Sequence, residues 1–199
     1  AGVVNIVVGL GHVAGEVMVS HPEVDMISFT GSTAVGKAAV AKSAATLKKV
    51  SMELGGKNPQ IVFADCDWDA AVDAAVYGIY FNAGQCCNSG SRILVQKSIA
   101  EKFAAEVVER SKHVKVGDPL VAGMQVGAIT TEKQLHTILS HIAAAKEAGA
   151  TVALGGSQIA GKGMYIEPTV VTGVKSDMAI AREEVFGPVL AMLAFKDLD

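Results

Sequence analysis

Short apolar runs alternate with helix-length amphipathic segments along the 199-residue chain. Aliphatic and β-branched residues cluster in runs of about five, a length and composition typical of strands. In the first third, these runs predict strands at 3–8, 25–29 and 49–54, with helices over 12–20 and 33–45 between them. Because the strand–helix order repeats, the pattern predicts a parallel sheet with crossover helices.

A Gly-Gly-Lys-Asn-Pro segment at 55–59 interrupts this alternation, and we place a domain boundary there. Asp67 and Glu132 mark helix starts and Gly149 marks a helix end. The predicted domains are residues 1–54 and residues 55–199, the second being another α/β unit. Its predicted strands are 60–63, 92–96, 151–154 and 189–195, and an extended segment is predicted at 165–171. Its predicted helices are 68–80, 99–112 and 131–148.

Composition narrows the functional classes. Half of the residues are hydrophobic and 19% are charged, as in a globular domain. A net charge of −3 without a basic stripe gives no expectation of a nucleic-acid or anionic-membrane partner. Apolar runs fall well short of the roughly 20 residues that a membrane span needs. Three cysteines fit a reducing compartment, so a cytoplasmic location is expected, and the spacing of the cysteines and histidines predicts no metal site.

Two glycine-containing segments follow predicted strands. In the first, Gly9, Gly11 and Gly15 permit a tight turn, but their spacing is not that of the usual dinucleotide fingerprint, and an ordinary turn fits equally well. In the second, Gly31 and Ser32 precede a predicted helix, whose free N–H groups would suit a pyrophosphate. A plain serine N-cap is the alternative for that segment.

Two further motifs carry reactive side chains. Glu53 ends a predicted buried strand before two glycines, a costly position unless the carboxylate has a role or pairs with Lys57. Cys86 and Cys87 lie in a polar, glycine-bounded loop where a thiol is accessible and its pKa can be lowered, whereas Cys66 is expected to be an inert small hydrophobe.

The last motif, residues 183–189, places two carboxylates, a phenylalanine and a Gly-Pro turn before a predicted strand. By itself it also fits a turn with a solvated acidic face.

Together and in this order, the five motifs resemble the signature stretches of the aldehyde dehydrogenase superfamily, of the NAD(P)-dependent hydrolytic type. The spacings agree: 87 − 53 = 34 positions and 184 − 87 = 97. The resemblance implies an α/β, aldehyde dehydrogenase-like fold. It makes residues 1–54 the second half of a Rossmann-type nucleotide-binding domain, and residues 55–199 most of an α/β catalytic domain, incomplete at its C-terminal end.

The resemblance also implies residue roles. Cys87, rather than Cys86, matches the nucleophile, and Glu53 matches the base that activates the deacylating water. The residues implied to contact NAD or NADP are Gly11 and Val35 near the adenosine, Gly31 and Ser32 at the pyrophosphate, Glu184 and Gln134 at the nicotinamide ribose, Phe186 beside the nicotinamide, and Leu54.

The implied reaction oxidises a small-molecule aldehyde to its acid through a thiohemiacetal and a thioester on Cys87. The backbone N–H of Cys87 is expected to donate to the oxyanion. A glutamate at position 53 favours hydrolysis over transfer to coenzyme A, while a phosphorylated substrate stays open. The alternative from another class is a catalytically silent structural or binding protein, against which Cys87, Glu53 and Glu184 argue.

Family chains are much longer and carry an upstream Pro-Trp-Asn segment that this sequence lacks. The resemblance therefore implies that these residues are a fragment, with little activity alone and with an unpaired, aggregation-prone sheet edge. For the full-length chain it implies a homo-oligomer, either a dimer or a tetramer.

Overall fold

Parallel β-strands joined by helices build both parts of the molecule. The computed structural model describes residues 2–161 and 163–197. The chain divides into two compact units, Ala1–Gly55 and Gly56–Asp199.

The first unit is a single strand–helix–strand crossover preceded by a short helical segment. Strands β1 and β2 pair in parallel, with Thr30 opposite Glu53. Its elements are a π-helical turn Gly11–Gly15, helix α1 Glu16–Ser20, strand β1 Met26–Gly31, helix α2 Thr33–Ser43, a 3-10 turn Ala44–Thr46 and strand β2 Lys49–Leu54.

The strand predicted at 3–8 is wrong, because this segment is irregular and unpaired. Its large apolar side chains are mostly exposed, from 68% at Val7 to 94% at Val3. A strand needs a hydrogen-bonded neighbour, and β1 and β2 are the two strands of this unit within the described residues. The helix predicted at 12–20 begins instead as a π-helical turn bounded by Gly11 and Gly15, residues with low helix propensity.

Glu53 also departs from the expectation of a buried strand end. It is exposed on β2, whose remaining residues are exposed or half-buried. With two strands and little cover, this sheet leaves its side chains accessible, so the Glu53 carboxylate bears no large burial cost.

The second unit holds a five-stranded sheet in the order β3-β4-β7-β6-β5, parallel except for β5. Its strands are β3 Pro59–Val62, β4 Arg92–Gln96, β5 Thr151–Leu154, β6 Thr169–Thr172 and β7 Val189–Phe195. Its helices are α3 Trp68–Tyr80, α4 Ala100–Ser111, α5 Glu132–Glu147 and α6 Ala179–Arg182, with a 3-10 segment Phe81–Gly84.

Local signals account for several element ends. Asp67 caps α3 by accepting from the Ala70 N–H at 3.1 Å, and the Thr131 hydroxyl caps α5 through Gln134 N–H at 3.2 Å. Such caps contribute about 1 kcal/mol each. Strand β6 begins directly after Pro168, which cannot donate to a sheet. Helix α6 was not predicted, because a single turn leaves no detectable periodicity.

The core of the second unit lies between the sheet and its helices. Five consecutive residues of β7, Val189 to Leu193, are buried, as expected for a central parallel strand covered on both faces. The large side chains that fill this core include Ile79, Ile93, Phe103, Val107, Ile138, Ile142 and Leu190. No helix in the described part of the chain has the length and apolar character to cross a membrane.

Candidate active site

Three motif segments of the second unit lie at one end of its sheet. Residues 56–58 precede β3, the nucleophile loop (residues 85–91) precedes β4, and the carboxylate loop (residues 183–188) precedes β7. These strands are parallel neighbours, so their amino ends share an edge. Ligands of open α/β sheets more often bind at the carboxyl ends of strands. The topology thus places the predicted nucleophile and the predicted ribose-binding carboxylate at the same, less usual, edge.

The nucleophile loop presents one of its two thiols to solvent. Cys87 is exposed, whereas Cys86 is half-buried and its Sγ donates to the Asn88 side-chain oxygen at 3.0 Å. Cys66 is half-buried and packs against the core. Of the three thiols, Cys87 is the most accessible to an incoming carbonyl carbon.

Side chains and main chain hold this loop from several sides. The Gln85 oxygen accepts from both the N–H and the hydroxyl of Thr130, each at 2.9 Å. The Ser89 hydroxyl donates to the Gly78 carbonyl at 2.9 Å, at the C-terminal part of α3. The loop is therefore held in place by α3, through Gly78, and by Thr130, which directly precedes the cap of α5.

Gly84, the residue directly before the nucleophile loop, contacts the carboxylate loop through its backbone. Gly84 has φ of +67°, and a Cβ there would overlap the Gly187 carbonyl oxygen. Only glycine combines this conformation with so close an approach. Gly84 thus brings the start of the nucleophile loop against the main chain of the carboxylate loop.

Gln134 holds the carboxylate loop. Its side-chain N–H₂ donates to the Val185 carbonyl at 2.7 Å and to the Phe186 carbonyl at 3.1 Å. Phe186 has φ of +53°, a conformation that non-glycine residues rarely adopt. The hydrogen bonds of Gln134 therefore support the strained turn between Glu184 and Gly187, a contact that its predicted ribose role did not include.

Burial shifts the pKa values of Glu184 and its neighbour Lys57. One oxygen of this carboxylate, the Lys57 ammonium and the Arg92 Nε are buried without a hydrogen-bond partner among the residues described. Burial raises the pKa of Glu184, opposed by the Gly56 N–H and by Lys57. Burial, reinforced by the Arg92 charge and opposed by Glu184, lowers the pKa of Lys57 to about 8. Lys57 therefore lies beside Glu184. The sequence left open a pairing of Lys57 with Glu53, and the carboxylate beside Lys57 is instead that of Glu184.

Arg92 ties the segments beside this carboxylate together. Its guanidinium donates to the Ala181 carbonyl at 2.9 Å and to the Lys57 carbonyl at 3.1 Å. Neither Lys57 nor Arg92 was singled out as a site residue from the sequence. Lys57 lies just before β3 and Arg92 begins β4, at the sheet edge that carries the motifs. This position next to the motifs is the sequence feature that could have identified them.

Replacing Lys57 with Met should remove a pH-dependent part of stability. The folded-state pKa of Lys57 lies below its usual value of 10.5, so between pH 8 and 10.5 the unfolded chain binds more protons and stability rises with pH. The shift from 10.5 to about 8 corresponds to about 3 kcal/mol. Urea unfolding from pH 7 to 10 should show this rise in the unsubstituted protein and a flatter profile in Lys57→Met. The exposed Lys133→Met is the control, and parallel profiles for all three proteins would contradict the assignment.

The first unit holds the remaining predicted residues. Gly31 ends β1, and the Ser32 hydroxyl caps α2 by accepting from the Val35 N–H at 3.4 Å. Leu54 ends β2 and packs against Gly36 of α2 so closely that a Cβ at position 36 would overlap it. Gly11 opens the π-helical turn. The structure thus brings Gly31, Ser32 and Val35 together at one helix start.

Known proteins resemble this chain throughout its length. The aldehyde dehydrogenase family model matches residues 1–199. An aldehyde dehydrogenase from Aspergillus niger is 49% identical over 202 residues, which cover 100% of this chain and 40% of the relative. A peroxisomal aminoaldehyde dehydrogenase from Pisum sativum is 46% identical, covering 98% of this chain and 39% of its own length. The chain therefore spans about 40% of the length of these curated relatives.

Solved structures share the fold. Betaine aldehyde dehydrogenase from Staphylococcus aureus, in complex with NAD+, superposes with a TM-score of 0.93 at 42% identity, covering 96% of this chain and 39% of its own. An NAD-dependent aldehyde dehydrogenase from Sinorhizobium meliloti gives a TM-score of 0.93 at 49% identity, covering 96% of this chain and 38% of its own. The α/β, aldehyde dehydrogenase-like fold implied by the motifs is confirmed. With its whole length matched by the family model, this chain belongs to the aldehyde dehydrogenase family.

Proposed function

We propose that these residues carry the reacting site of an enzyme that oxidises an aldehyde to a carboxylic acid with NAD or NADP. The observation that carries the proposal is the exposed Cys87 thiol in a loop that begins directly after Gly84, whose backbone contacts the loop of Glu184. The names of the matched relatives support the reaction class, and the NAD+ complex from S. aureus supports the cofactor class.

The donor and acceptor groups present fit such a cofactor. The buried, unpartnered oxygen of Glu184 suits a ribose hydroxyl donor, and Phe186 lies two residues along the same turn. The start of α2, with Gly31, Ser32 and Val35, suits a pyrophosphate because helix N-termini attract anions. When bound, the nicotinamide supplies a hydride acceptor. Gly11, Leu54 and Gln134 complete the proposed cofactor set.

In the first chemical step, the Cys87 thiolate forms a C–S bond to the aldehyde carbon, and the carbonyl π electrons move to the oxygen. The Cys87 N–H donates no main-chain hydrogen bond within the described residues, so it can donate to that oxyanion. Collapse of the oxyanion restores the C=O bond with loss of hydride, for which the bound nicotinamide would be the acceptor, and leaves a thioester on Cys87.

In the second step, Glu53 removes a proton from water, and the water oxygen attacks the thioester carbon. The C–S bond breaks, the acid departs and the Cys87 thiolate is regenerated. An exposed carboxylate is suited to this role, because it can exchange its proton with solvent. Hydrolysis, rather than acyl transfer to coenzyme A, is therefore the proposed outcome.

The proposal also covers the domain organisation, the oligomeric state and the location of the protein. Residues 1–54 would form half of the nucleotide-binding domain and residues 55–199 most of the catalytic domain. The longest form of the protein would be a cytoplasmic homo-oligomer, either a dimer or a tetramer. The free cysteines of the described chain fit a reducing compartment.

The test is a panel of aliphatic, aromatic, amino- and phosphorylated aldehydes with NAD+ and NADP+, run on the longest form of the protein that carries this sequence. We expect absorbance at 340 nm to rise and an equal amount of free acid to form without coenzyme A. Cys86→Ser serves as a control that keeps the proposed nucleophile. Absence of reduced cofactor with every aldehyde would favour the silent binding protein, and acid formation only through an acyl-CoA would exclude the hydrolytic step.

A further inference from the structure

The two peptide groups that flank the Cys87 Cα are both held by hydrogen bonds. On the amino side, the Cys86 carbonyl accepts from the Ser89 N–H at 3.0 Å. A trans peptide is planar, so fixing that carbonyl also fixes the opposite direction of the Cys87 N–H. This is the N–H that the proposed reaction assigns to the oxyanion.

On the carboxyl side, the contact comes from a distant segment. The Asn58 side-chain nitrogen donates to the Cys87 carbonyl at 2.7 Å and to the Ser89 carbonyl at 3.1 Å. An amide N–H₂ has two protons, and the two carbonyls use both. Asn58 therefore spans the loop from Cys87 to Ser89.

Asn58 is itself well anchored. It directly precedes Pro59, which restricts the preceding residue to extended conformations. Its carbonyl accepts from the Arg92 N–H at 3.2 Å, where β3 meets β4. The half-buried side chain thus projects from a fixed backbone towards the nucleophile loop.

We propose that Asn58 is a positioning residue for the nucleophile: by holding the Cys87 carbonyl, it fixes the Cys87 backbone so that the thiol and the Cys87 N–H point to the same reacting carbonyl. The inference rests on the proposed function. It assigns to Asn58 an effect on acylation, transmitted through the Cys87 main chain, that goes beyond the stability of the loop.

Ser89 offers a matched comparison within the same loop. Its hydroxyl donates to Gly78 at 2.9 Å, so Ser89→Ala also removes a loop-anchoring hydrogen bond, but it leaves both peptides of Cys87 held. Asn58→Ala removes two hydrogen bonds, including the one to Cys87. Asn58→Ser retains one donor and provides a milder variant if the alanine variant does not fold.

Two readouts test the proposal on the longest form of the protein that carries this sequence. The first is the rate of Cys87 alkylation by iodoacetamide between pH 6 and 10, followed by mass spectrometry of the Cys87 peptide. The second is the rate of the first NADH turnover. Loss of one oxyanion donor costs roughly 10²–10³-fold, so a Cys87 thiol that Asn58→Ala no longer holds in line with that donor should slow the first turnover at least about tenfold, with little change in aldehyde KM. The pH midpoint of alkylation should rise, because the released thiolate is less well aligned with the N–H that stabilises it.

Ser89→Ala should change neither the pH midpoint of alkylation nor the first turnover by more than about threefold, even where it lowers the melting temperature. Equal slowing by Asn58→Ala and Ser89→Ala, or an unchanged midpoint in both Asn58 variants, would overturn the positioning role. The alkylation profile needs no aldehyde or cofactor. A failure of the dehydrogenase proposal is therefore separate from a failure of this one.

Discussion

Glu53→Gln should stop the steady production of NADH yet leave one rapid burst of it, equal to about one NADH per active site. In the proposed reaction, addition of the thiolate and loss of hydride need no base beyond the Cys87 thiolate, so the first turnover should survive. The thioester then persists, because an amide cannot take the proton from water. General-base groups typically contribute 10²–10⁴-fold, and the steady rate should fall by about that factor.

Stopped-flow absorbance gives the burst and the steady rate, and intact-protein mass spectrometry should detect the acyl group retained on Cys87. Glu23→Gln is the control, since Glu23 is another exposed carboxylate of the same unit. Undiminished steady turnover in Glu53→Gln would remove Glu53 from the mechanism. Loss of both burst and steady rate would place its role before acylation.

The hydrophobic pattern located several elements to the residue where an apolar-rich segment lies between turn residues. The strands at 49–54, 92–96, 151–154 and 189–195 and the helix at 68–80 have the predicted bounds. An apolar run at 3–8 led to a wrong strand prediction. The reason is that β-propensity is a property of one segment, whereas a strand also needs a neighbouring strand to pair with. The information needed to reject that strand lies outside the run itself.

The shared location of Cys87 and Glu184 follows from sequence order combined with the strand order of the sheet. Each motif directly precedes a strand, and parallel strands align their amino ends, so the two loops must lie at one edge once β4 and β7 are neighbours. The strand order 3-4-7-6-5 makes them neighbours, and the sequence does not specify that order.

The supporting residues could not be predicted in the same way, because their contacts join distant positions. Asn58 reaches Cys87 across 29 positions, and Arg92 reaches Ala181 across 89. Whether the ammonium of Lys57 is buried, and beside which carboxylate, depends equally on tertiary packing. The same is true of Gln134. The resemblance implies a cofactor role for it, but its hydrogen bonds to the carboxylate loop are visible only in the folded structure.

Cys87→Ser should abolish both the burst and the steady turnover, whereas Cys86→Ser should keep both within a fewfold range. Serine retains the shape of the side chain, but its hydroxyl is far less acidic than a thiol and is not ionised to an alkoxide at neutral pH. Removing a covalent nucleophile costs at least about 10³-fold in comparable enzymes. In Cys86→Ser the lost contact is one Sγ–H to Asn88 hydrogen bond, which is weak and lies outside the anchoring of Cys87.

The paired variants separate the adjacent thiols, which a general thiol reagent cannot do. Aldehyde-dependent NADH formation in each variant identifies the attacking thiol, and the retained acyl mass in the Glu53→Gln background identifies the atom that carries the thioester. If Cys87→Ser keeps its burst while Cys86→Ser loses it, the nucleophile is Cys86. The exposed position of Cys87 would then serve another purpose. The structure favours Cys87 as the nucleophile, because Cys86 is half-buried and its thiol already donates a hydrogen bond to Asn88.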